Sequence, residues 1–220
     1  MRYPALDARL QAAADLFTAC DTGADIGADH GRLSCYLLHT ERCRRMIVAD
    51  ISADSLQKAK RLLSLHSLHD RAVFRVADGL DALEERAECV AICGMGGRAM
   101  GEILRRGRDR LCGADLVLSC HTEIPLLRAT LCEICYHIET ERLVRAKNRF
   151  YIIMKALPGA AQYTEKELYL GPVLLQGKEP LWLEYLQWRA GVVGCEVGNG
   201  RYLEWIKEEL AREIDRTGRV

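Results

Sequence analysis

Four short segments of the chain combine aspartate with glycine in a pattern that is suited to binding a polar ligand. They read Asp25-Ile26-Gly27-Ala28-Asp29-His30-Gly31, Val48-Ala49-Asp50, Ala77-Asp78-Gly79-Leu80 and Ile92-Cys93-Gly94-Met95-Gly96-Gly97. Glycine lets the backbone turn tightly and approach a ligand closely, and an aspartate carboxylate accepts hydrogen bonds. A site that combines the two suits a ligand with hydroxyl, amine or cationic groups.

The first segment has the spacing D-x-G-x-D-x-G, which differs from the G-x-G-x-x-G of a dinucleotide-binding turn. In that turn, bare glycines place a pyrophosphate at the N-terminus of a helix. Here Asp29 puts a carboxylate where the phosphate would lie. The segment therefore disfavours a NAD- or FAD-dependent oxidoreductase and favours a ligand with a cationic head, such as the ammonium or sulfonium of S-adenosylmethionine.

The other three segments fit an adenosine-type ligand. Asp50 lies 23 residues after Gly27, near the offset of about 20 residues at which an acidic side chain binds ribose hydroxyls. Asp78 can accept a hydrogen bond from the exocyclic amine of adenine, and the glycines of residues 94–97 leave backbone groups open toward a substrate. Each segment alone is also explained as a turn or a helix cap, but four at consecutive strand ends favour one shared site.

The four segments end short apolar runs that we interpret as buried strands, with helices predicted between them. We predict strands at residues 23–26, 46–50, 73–76, 89–93 and 116–120, and helices at residues 33–40, 52–64, 98–110 and 126–135. This alternation predicts an open α/β sheet with helices on both faces, in which ligands bind beyond the carboxyl ends of the strands. Residues 137–144 and 150–155 have no helix between them and predict a terminal β-hairpin with one antiparallel strand.

A change of composition at residues 157–161 marks the boundary between a first domain, residues 1–158, and a helical C-terminal arm, residues 159–220. We predict arm helices at residues 165–175, 181–190 and 202–216, with a glycine-rich connection at residues 191–200. About 60 residues bury too little surface to hold a core alone, so we expect the arm to pack on the sheet domain or on a partner. Leu181, Trp182, Tyr185 and Trp188 have the spacing of a buried helical stripe rather than of a base-stacking surface.

The composition is that of a folded protein, with 49% hydrophobic residues and 31 basic against 31 acidic side chains in 220 residues. The zero net charge means that a polyanionic partner has to meet a local basic patch. No apolar run is long enough to span a membrane, and the first ten residues lack the apolar block of a secretory signal, so we expect a cytoplasmic protein. Cys132, Cys135 and His137 lack a fourth ligand at zinc-binding spacing, and we expect no metal.

Taken together, the four segments resemble the bacterial tRNA adenine-N1 methyltransferases of the TrmK type, which modify the adenine at tRNA position 22. Residues 119–131 and the segment Arg149-Phe150-Tyr151-Ile152-Ile153 are also similar to segments of that family, and the resemblance covers residues 5–158 well. It implies a Rossmann-like class I methyltransferase fold, S-adenosyl-L-methionine as the methyl donor, tRNA as the partner and a C-terminal arm that holds the tRNA.

The resemblance also implies roles for individual residues. The cofactor-binding set would comprise Asp25, Gly27, Ala28, His30, Asp50, Ile51, Asp78, Gly79, Gly94 and Met95. Asp29 is the candidate catalytic carboxylate, since a nearby negative charge favours a cationic product. We assign Arg32, Gly96, Gly97 and His121 to the tRNA side of the site. Independently of the resemblance, the arginines at the end of the helix after the glycine segment make Arg105 and Arg106 candidate phosphate contacts, although an arginine near a helix C-terminus is favourable without any ligand.

Two positions differ from the family pattern and leave alternatives open. The family often has an aromatic residue where this chain has Arg32, and glutamine or proline where it reads Ser119-Cys120-His121-Thr122-Glu123. Because both positions face the expected target base, the alternatives are a methyltransferase acting on another RNA or a small molecule, and a non-catalytic RNA-binding protein of the same fold. We expect a monomer.

Overall fold

Seven strands form one sheet in the order β3-β2-β1-β4-β5-β7-β6 in a computed structural model. The structure describes residues 5–146, 149–194 and 200–218. The strands are β1 (Cys20–Ile26), β2 (Cys43–Asp50), β3 (Ala72–Val76), β4 (Cys89–Met95), β5 (Asp115–Cys120), β6 (Tyr136–Ala146) and β7 (Arg149–Pro158). The first five are parallel, and β7 runs antiparallel to both β5 and β6. The predicted strands and the antiparallel hairpin are confirmed.

Eight α-helices cover the sheet within the described residues. They are α1 (Ala8–Leu16), α2 (Arg32–His39), α3 (Ala53–Leu65), α4 (Gly97–Gly107), α5 (Ile124–Glu133), α6 (Glu165–Leu170), α7 (Trp182–Gly194) and α8 (Arg201–Thr217). The core has two layers, one between the sheet and α1 to α3 and one between the sheet and α4 to α8. This is the doubly wound arrangement that the alternation of strands and helices predicts.

Helix α1 was not predicted from the sequence. It begins at Asp7, whose carboxylate accepts hydrogen bonds from the backbone N–H groups of Arg9 and Leu10, both at 3.0 Å. Four of its nine residues are alanine, so its two faces differ little in polarity and no apolar stripe marks it. Ala12, Ala13 and Ala14 are nevertheless buried, because their small side chains let the helix lie close to the sheet.

The C-terminal arm packs on the sheet, and its apolar side chains share one core layer with α4 and α5. Its first predicted helix, residues 165–175, ends earlier than expected, because Gly171 has a φ of +108° and a separate 3-10 turn follows at Leu174–Gln176. Helix α7 extends to Gly194 into the predicted connection, of which residues 195–199 lie outside the described part. The boundary at residue 158 stays a prediction.

Among the residues that the structure describes, no helix is both long and apolar enough to cross a membrane.

Candidate active site

A cavity of about 550 Å³ opens at the carboxyl edge of the sheet, where β1 lies between β2 and β4. The strand order reverses at β1, and an open α/β sheet binds its ligands at such a point. Segments that follow β1, β2, β3 and β4 all contribute to the lining. The predicted residues that line it are Asp25, Gly27, Ala28, Asp29, His30, Arg32, Asp50, Ile51, Asp78, Gly79, Gly94 and Met95.

Asp50 connects two of the predicted segments. One of its carboxylate oxygens accepts a hydrogen bond from the backbone N–H of Asp29 at 2.9 Å, and the other accepts one from Ser52 at 2.8 Å. Since both contacts fix the carboxylate at the end of β2, its remaining lone pairs face the cavity in one orientation. Ile51 beside it is 72% exposed, which offers an apolar surface next to this acceptor.

The turn after β1 brings a second carboxylate to the cavity. Gly27 has a φ of +70°, which glycine adopts without steric cost, and the N–H groups of Gly27 and Ala28 both donate to the carbonyl of Ala49 at 2.9 Å. Asp29 follows with a φ of +48°, and one of its oxygens lies 2.6 Å from Nδ1 of His30. Both side chains are exposed, so the pair is a polar wall of the cavity.

Asp25 differs from the other carboxylates because it is buried. Only 3% of the residue is exposed, and one of its oxygens accepts a hydrogen bond from the Ser34 hydroxyl at 2.7 Å. Burial raises the pKa of Asp25 to about 6, and the hydrogen bond from Ser34 limits the rise. Asp25 therefore joins β1 to α2 beneath the cavity as well as lining it.

The raised pKa of Asp25 predicts a pH-dependent stability. Between the unfolded pKa of about 3.9 and the folded pKa of about 6, the folded protein binds more protons, so wild-type stability falls as the pH rises. We expect Asp25→Asn to stabilise the protein by on the order of 2 kcal/mol at pH 8 and by nothing at pH 4. Urea unfolding at both pH values measures the difference, with Asp21→Asn on the exposed start of β1 as the control. A constant difference between the two pH values would contradict the prediction.

Asp78 carries a partner that the sequence did not indicate. Nη2 of Arg106 lies 2.9 Å from the Asp78 carboxylate and also donates to its backbone carbonyl at 3.0 Å. The hydrogen bond from Arg106 lowers the pKa of the Asp78 carboxyl group. One carboxylate oxygen of Asp78 is thus paired with an arginine from α4. The negative charge of Asp78 at the cavity is therefore largely neutralised.

The arginines at the end of α4 all have acidic partners. Arg105 contacts Glu133 at 2.7 Å, Arg108 contacts Asp109 at 3.3 Å and Arg110 contacts Asp81 at 3.4 Å. Arg105 and Arg106 were assigned to tRNA, but neither lines the cavity. Their role in RNA binding stays a prediction.

Residues 94–97, which join the end of β4 to the start of α4 and are called the glycine loop here, contact the loop after β5, residues 121–123. Gly94 borders the cavity, and a Cβ added there would meet no atom within 4 Å. Gly96 and Gly97 instead pack on the other loop: the N–H of Gly97 donates to the carbonyl of Thr122 at 2.8 Å, and a Cβ on Gly97 would overlap the carbonyl of Glu123. The two glycines assigned to tRNA therefore set the spacing between two loops, and neither lines the cavity.

Arg9 is a cavity residue that the sequence analysis missed. It lies on α1, and its guanidinium carbon is 4.8 Å from the centre of the Tyr151 ring. Asp7 contacts the same guanidinium at 2.6 Å. The only available signal was Asp7 as a helix cap two residues earlier, because α1 has no apolar periodicity. Arg9 is thus a second arginine, beside Arg32, in a cavity lined by four aspartates.

Comparison with known proteins identifies the family. The family model described as TrmK, tRNA (adenine(22)-N(1))-methyltransferase, matches residues 23–194, well over half of the chain. The chain belongs to this family. The resemblance seen in the four segments is confirmed, and so are the Rossmann-like fold and the methyltransferase class.

Three known proteins match this chain over nearly its whole length. The tRNA (adenine(22)-N(1))-methyltransferase of Bacillus subtilis is 28% identical over 96% of this chain and 93% of its own. A protein of the NADB-Rossmann superfamily from Streptococcus agalactiae superimposes with a TM-score of 0.89, at 28% identity, over 96% of this chain and 98% of its own. TrmK of M. capricolum, solved with S-adenosyl-homocysteine, has a TM-score of 0.81 at 20% identity over 97% and 98% of the two chains, which supports the fold.

Proposed function

We propose that the protein transfers a methyl group from S-adenosyl-L-methionine to N1 of adenine 22 in tRNA. The observation that carries the proposal is the cavity at the reversal of strand order, where carboxylates from consecutive strand ends converge in a member of the TrmK family. We place the protein in the cytoplasm and expect it to act as a monomer.

The residues around the cavity fit this donor. S-adenosyl-L-methionine supplies an electrophilic methyl group on a positively charged sulfur and ends in an amino acid. Asp29 and Asp50 supply carboxylates for a cationic nucleoside and its ribose, while Ile51 offers an apolar face. The volume of about 550 Å³ lies within the 300–1,000 Å³ of typical small-molecule sites.

Positioning accounts for most of the proposed catalysis. The lone pair on adenine N1 is free at neutral pH, so no base has to remove a proton before attack. Alignment of reacting groups is worth about 7–11 kcal/mol in well-oriented intramolecular reactions. Gly94 and the loops fastened through Gly97 border the place where the base has to enter, and the base has to leave the tRNA stack to reach it.

Asp29 is proposed to stabilise the product. Methylation at N1 leaves a positive charge on the adenine, and the exposed Asp29 carboxylate beside His30 is a nearby counter-charge. Asp78 is a weaker candidate for this role, because Arg106 already neutralises it.

Methyl transfer from labelled S-adenosyl-L-methionine to total bacterial tRNA tests the function. We expect N1-methyladenosine, identified by mass spectrometry of the digested tRNA, and its loss when adenine 22 of a transcript is replaced by guanine. Labelling of another nucleoside would favour another RNA substrate, and tRNA binding without turnover would indicate a non-catalytic RNA-binding protein.

Replacement of Asp50 by alanine should weaken S-adenosylhomocysteine binding by about 1.5–3 kcal/mol, the size of a hydrogen bond to a charged group. The variant removes the acceptor and also frees the N–H groups of Asp29 and Ser52. Isothermal titration calorimetry measures the change, and Asp54→Ala on the adjoining helix is the matched control. Undetectable binding by the wild-type protein would remove the cofactor assignment.

Arg9 is expected to bind the carboxylate of the donor's amino-acid end. Removing a charged hydrogen-bond donor costs about 1.5–3 kcal/mol, so Arg9→Ala should weaken S-adenosylhomocysteine binding about 10-fold or more. Binding of 5′-methylthioadenosine, which has the same nucleoside without the amino acid, should not change. Calorimetry with both ligands tests this, and equal losses for the two would show that Arg9 only holds α1 in place.

A further inference from the structure

A second cavity, with a volume of about 270 Å³, lies between the loop after β5, the start of β7 and the arm. Four aromatic side chains dominate it, namely Phe150, Tyr169, Tyr185 and Trp188. Its polar lining residues are His121, Thr122, Glu123 and Arg189. Its lining shares no residue with that of the first cavity. We refer to it as the aromatic cavity.

The aromatic rings form a continuous wall. The ring of Phe150 lies 5.7 Å from that of Tyr185 and 5.4 Å from that of Trp188, and Tyr185 lies 6.1 Å from Trp188. Trp182 and Tyr185 are buried, as expected for the stripe of α7, but Trp188 is only half-buried and reaches the cavity. The stripe therefore both packs the arm and offers an accessible aromatic face.

The charges in the aromatic cavity indicate what it can hold. The guanidinium of Arg189 lies 5.5 Å from the centre of the Tyr169 ring, and its Nε donates to the Tyr169 hydroxyl at 3.0 Å. Among the described residues the structure gives Arg189 no acidic partner within ion-pair distance. The Glu123 carboxylate also lines the cavity but is paired with Arg98 at 2.8 Å. The positive charge of Arg189 therefore disfavours a cationic ligand, the usual guest of an aromatic cage, and favours a neutral flat ring with a phosphate attached.

The position of the aromatic cavity connects it to the methyl-transfer site. His121, Thr122 and Glu123 line it, and the same residues are fastened to the glycine loop through Gly97 and through Arg98, which contacts Glu123 at 2.8 Å. Its volume is slightly below that of sites for drug-sized ligands, which suits a single ring system. A ligand there would lie one loop away from the reacting base.

We propose that the aromatic cavity binds one nucleobase of the tRNA, held out of its stack, at a nucleotide other than the one that is methylated. The proposal rests on the proposed function. Trp188 provides the stacking surface, Arg189 meets the phosphate, and His121 lies at the rim. Binding of this second base orients the tRNA so that the target base enters beside Gly94.

Substitution of Trp188 tests the proposal. Stacking of one base is worth about 1–3 kcal/mol, so Trp188→Leu should weaken tRNA binding about 5- to 150-fold, while Trp188→Phe, which keeps a ring, should lose at most about 3-fold. Both variants should bind S-adenosylhomocysteine like the wild type. Trp188→Leu also loses ring contacts with Phe150 and Tyr185 and should melt at a lower temperature, so tRNA binding is measured well below that temperature, where the unchanged S-adenosylhomocysteine affinity shows that the variant is folded. Phe74→Leu is the matched control and should retain tRNA affinity, because this half-buried ring packs against His69 on the edge strand β3, at the opposite end of the sheet from β6 and β7.

The outcomes separate this proposal from the proposed function. Equal losses of tRNA affinity for Trp188→Leu and Trp188→Phe, or wild-type tRNA affinity for Trp188→Leu, would overturn the assignment of the aromatic cavity to a nucleobase. Methylation of tRNA by the wild-type protein would still support the proposed function in that case. A wild-type protein that neither binds S-adenosylhomocysteine nor methylates tRNA would overturn the function itself. If Trp188→Leu weakened the binding of adenosine 5′-monophosphate but not that of tRNA, the ligand of the aromatic cavity would be a free nucleotide, and the assignment to RNA would be overturned.

Discussion

Replacement of Gly97 by alanine is expected to lower the rate of methyl transfer about 100-fold, because a misplacement of about 1 Å at reacting groups has that effect. The added methyl would overlap the carbonyl oxygen of Glu123 and approach that of Thr122 at 2.9 Å. These atoms belong to the backbone, so no side-chain rotation relieves the overlap. The glycine loop and the loop after β5 have to move apart.

The donor should still bind to the Gly97→Ala protein. Asp29, Asp50 and Ile51 line the first cavity from the ends of β1 and β2, whereas Gly97 follows β4 and packs against Thr122 and Glu123. We therefore expect S-adenosylhomocysteine affinity to stay within about threefold while the single-turnover rate falls. A lower rate with unchanged affinity would identify a change in the alignment of the reacting groups, since unfolding of the protein would remove both the rate and the affinity.

A matched glycine substitution is available on α7. A Cβ at Gly191 would meet no atom within 4 Å, and alanine is favoured over glycine within a helix. Gly191→Ala should therefore leave both the rate and the melting temperature close to those of the wild type. A wild-type rate for Gly97→Ala would show that the spacing of the two loops does not set the reaction geometry.

The sheet and the carboxylate edge could be predicted from the sequence because both follow from local patterns. Parallel strands end at one edge, so residues placed directly after them, such as Asp29, Asp50 and Asp78, meet there without further information. The strand ends and the antiparallel hairpin were likewise readable from short apolar runs. The alternation of strands with helices is enough to predict how these strands are arranged in the sheet.

The rest depended on side chains that are far apart in sequence. Arg106 reaches Asp78 from the last turn of α4, and a charged side chain on a helix is normally taken as exposed. Arg9 reaches the cavity from α1, where the alanines give no apolar stripe that would identify the buried face of the helix. Trp188 was assigned to the buried stripe by its spacing alone, and spacing does not show which residue of a stripe opens onto a cavity.

The buried ion pair between Arg128 and Glu141 could not be predicted from the sequence either. Its removal is expected to cause a large loss of stability. Both side chains are fully buried, with Nε of Arg128 2.9 Å and Nη2 2.8 Å from one Glu141 oxygen. Arg128→Met leaves the Glu141 carboxylate without a counter-charge. We expect a loss of about 3–5 kcal/mol in the free energy of unfolding, the usual cost of breaking a buried pair from one side.

Replacing both partners should not restore stability, although apolar replacement of a buried pair is often neutral. Arg128 also donates to the carbonyls of Leu168 and Tyr169 at 2.8 and 3.0 Å, and Glu141 accepts from the N–H groups of Val173 and Leu174 at 3.0 and 3.3 Å. In Arg128→Met/Glu141→Leu these four backbone groups of the arm lose their partners, at about 1–3 kcal/mol for each one left buried. The double variant should therefore stay destabilised.

Urea unfolding of the two variants measures these losses, with Arg145→Met on β6, the strand of Glu141, as the control. Arg145 contacts Glu184, and both side chains are about half exposed, so its loss should cost less than about 1 kcal/mol. A loss below about 1 kcal/mol for Arg128→Met, or full recovery in the double variant, would contradict the prediction. Because Arg128 lies on α5, directly after the loop of His121 to Glu123, the pair fixes the arm relative to the methyl-transfer site, and damage to it should lower tRNA affinity before the donor site is affected.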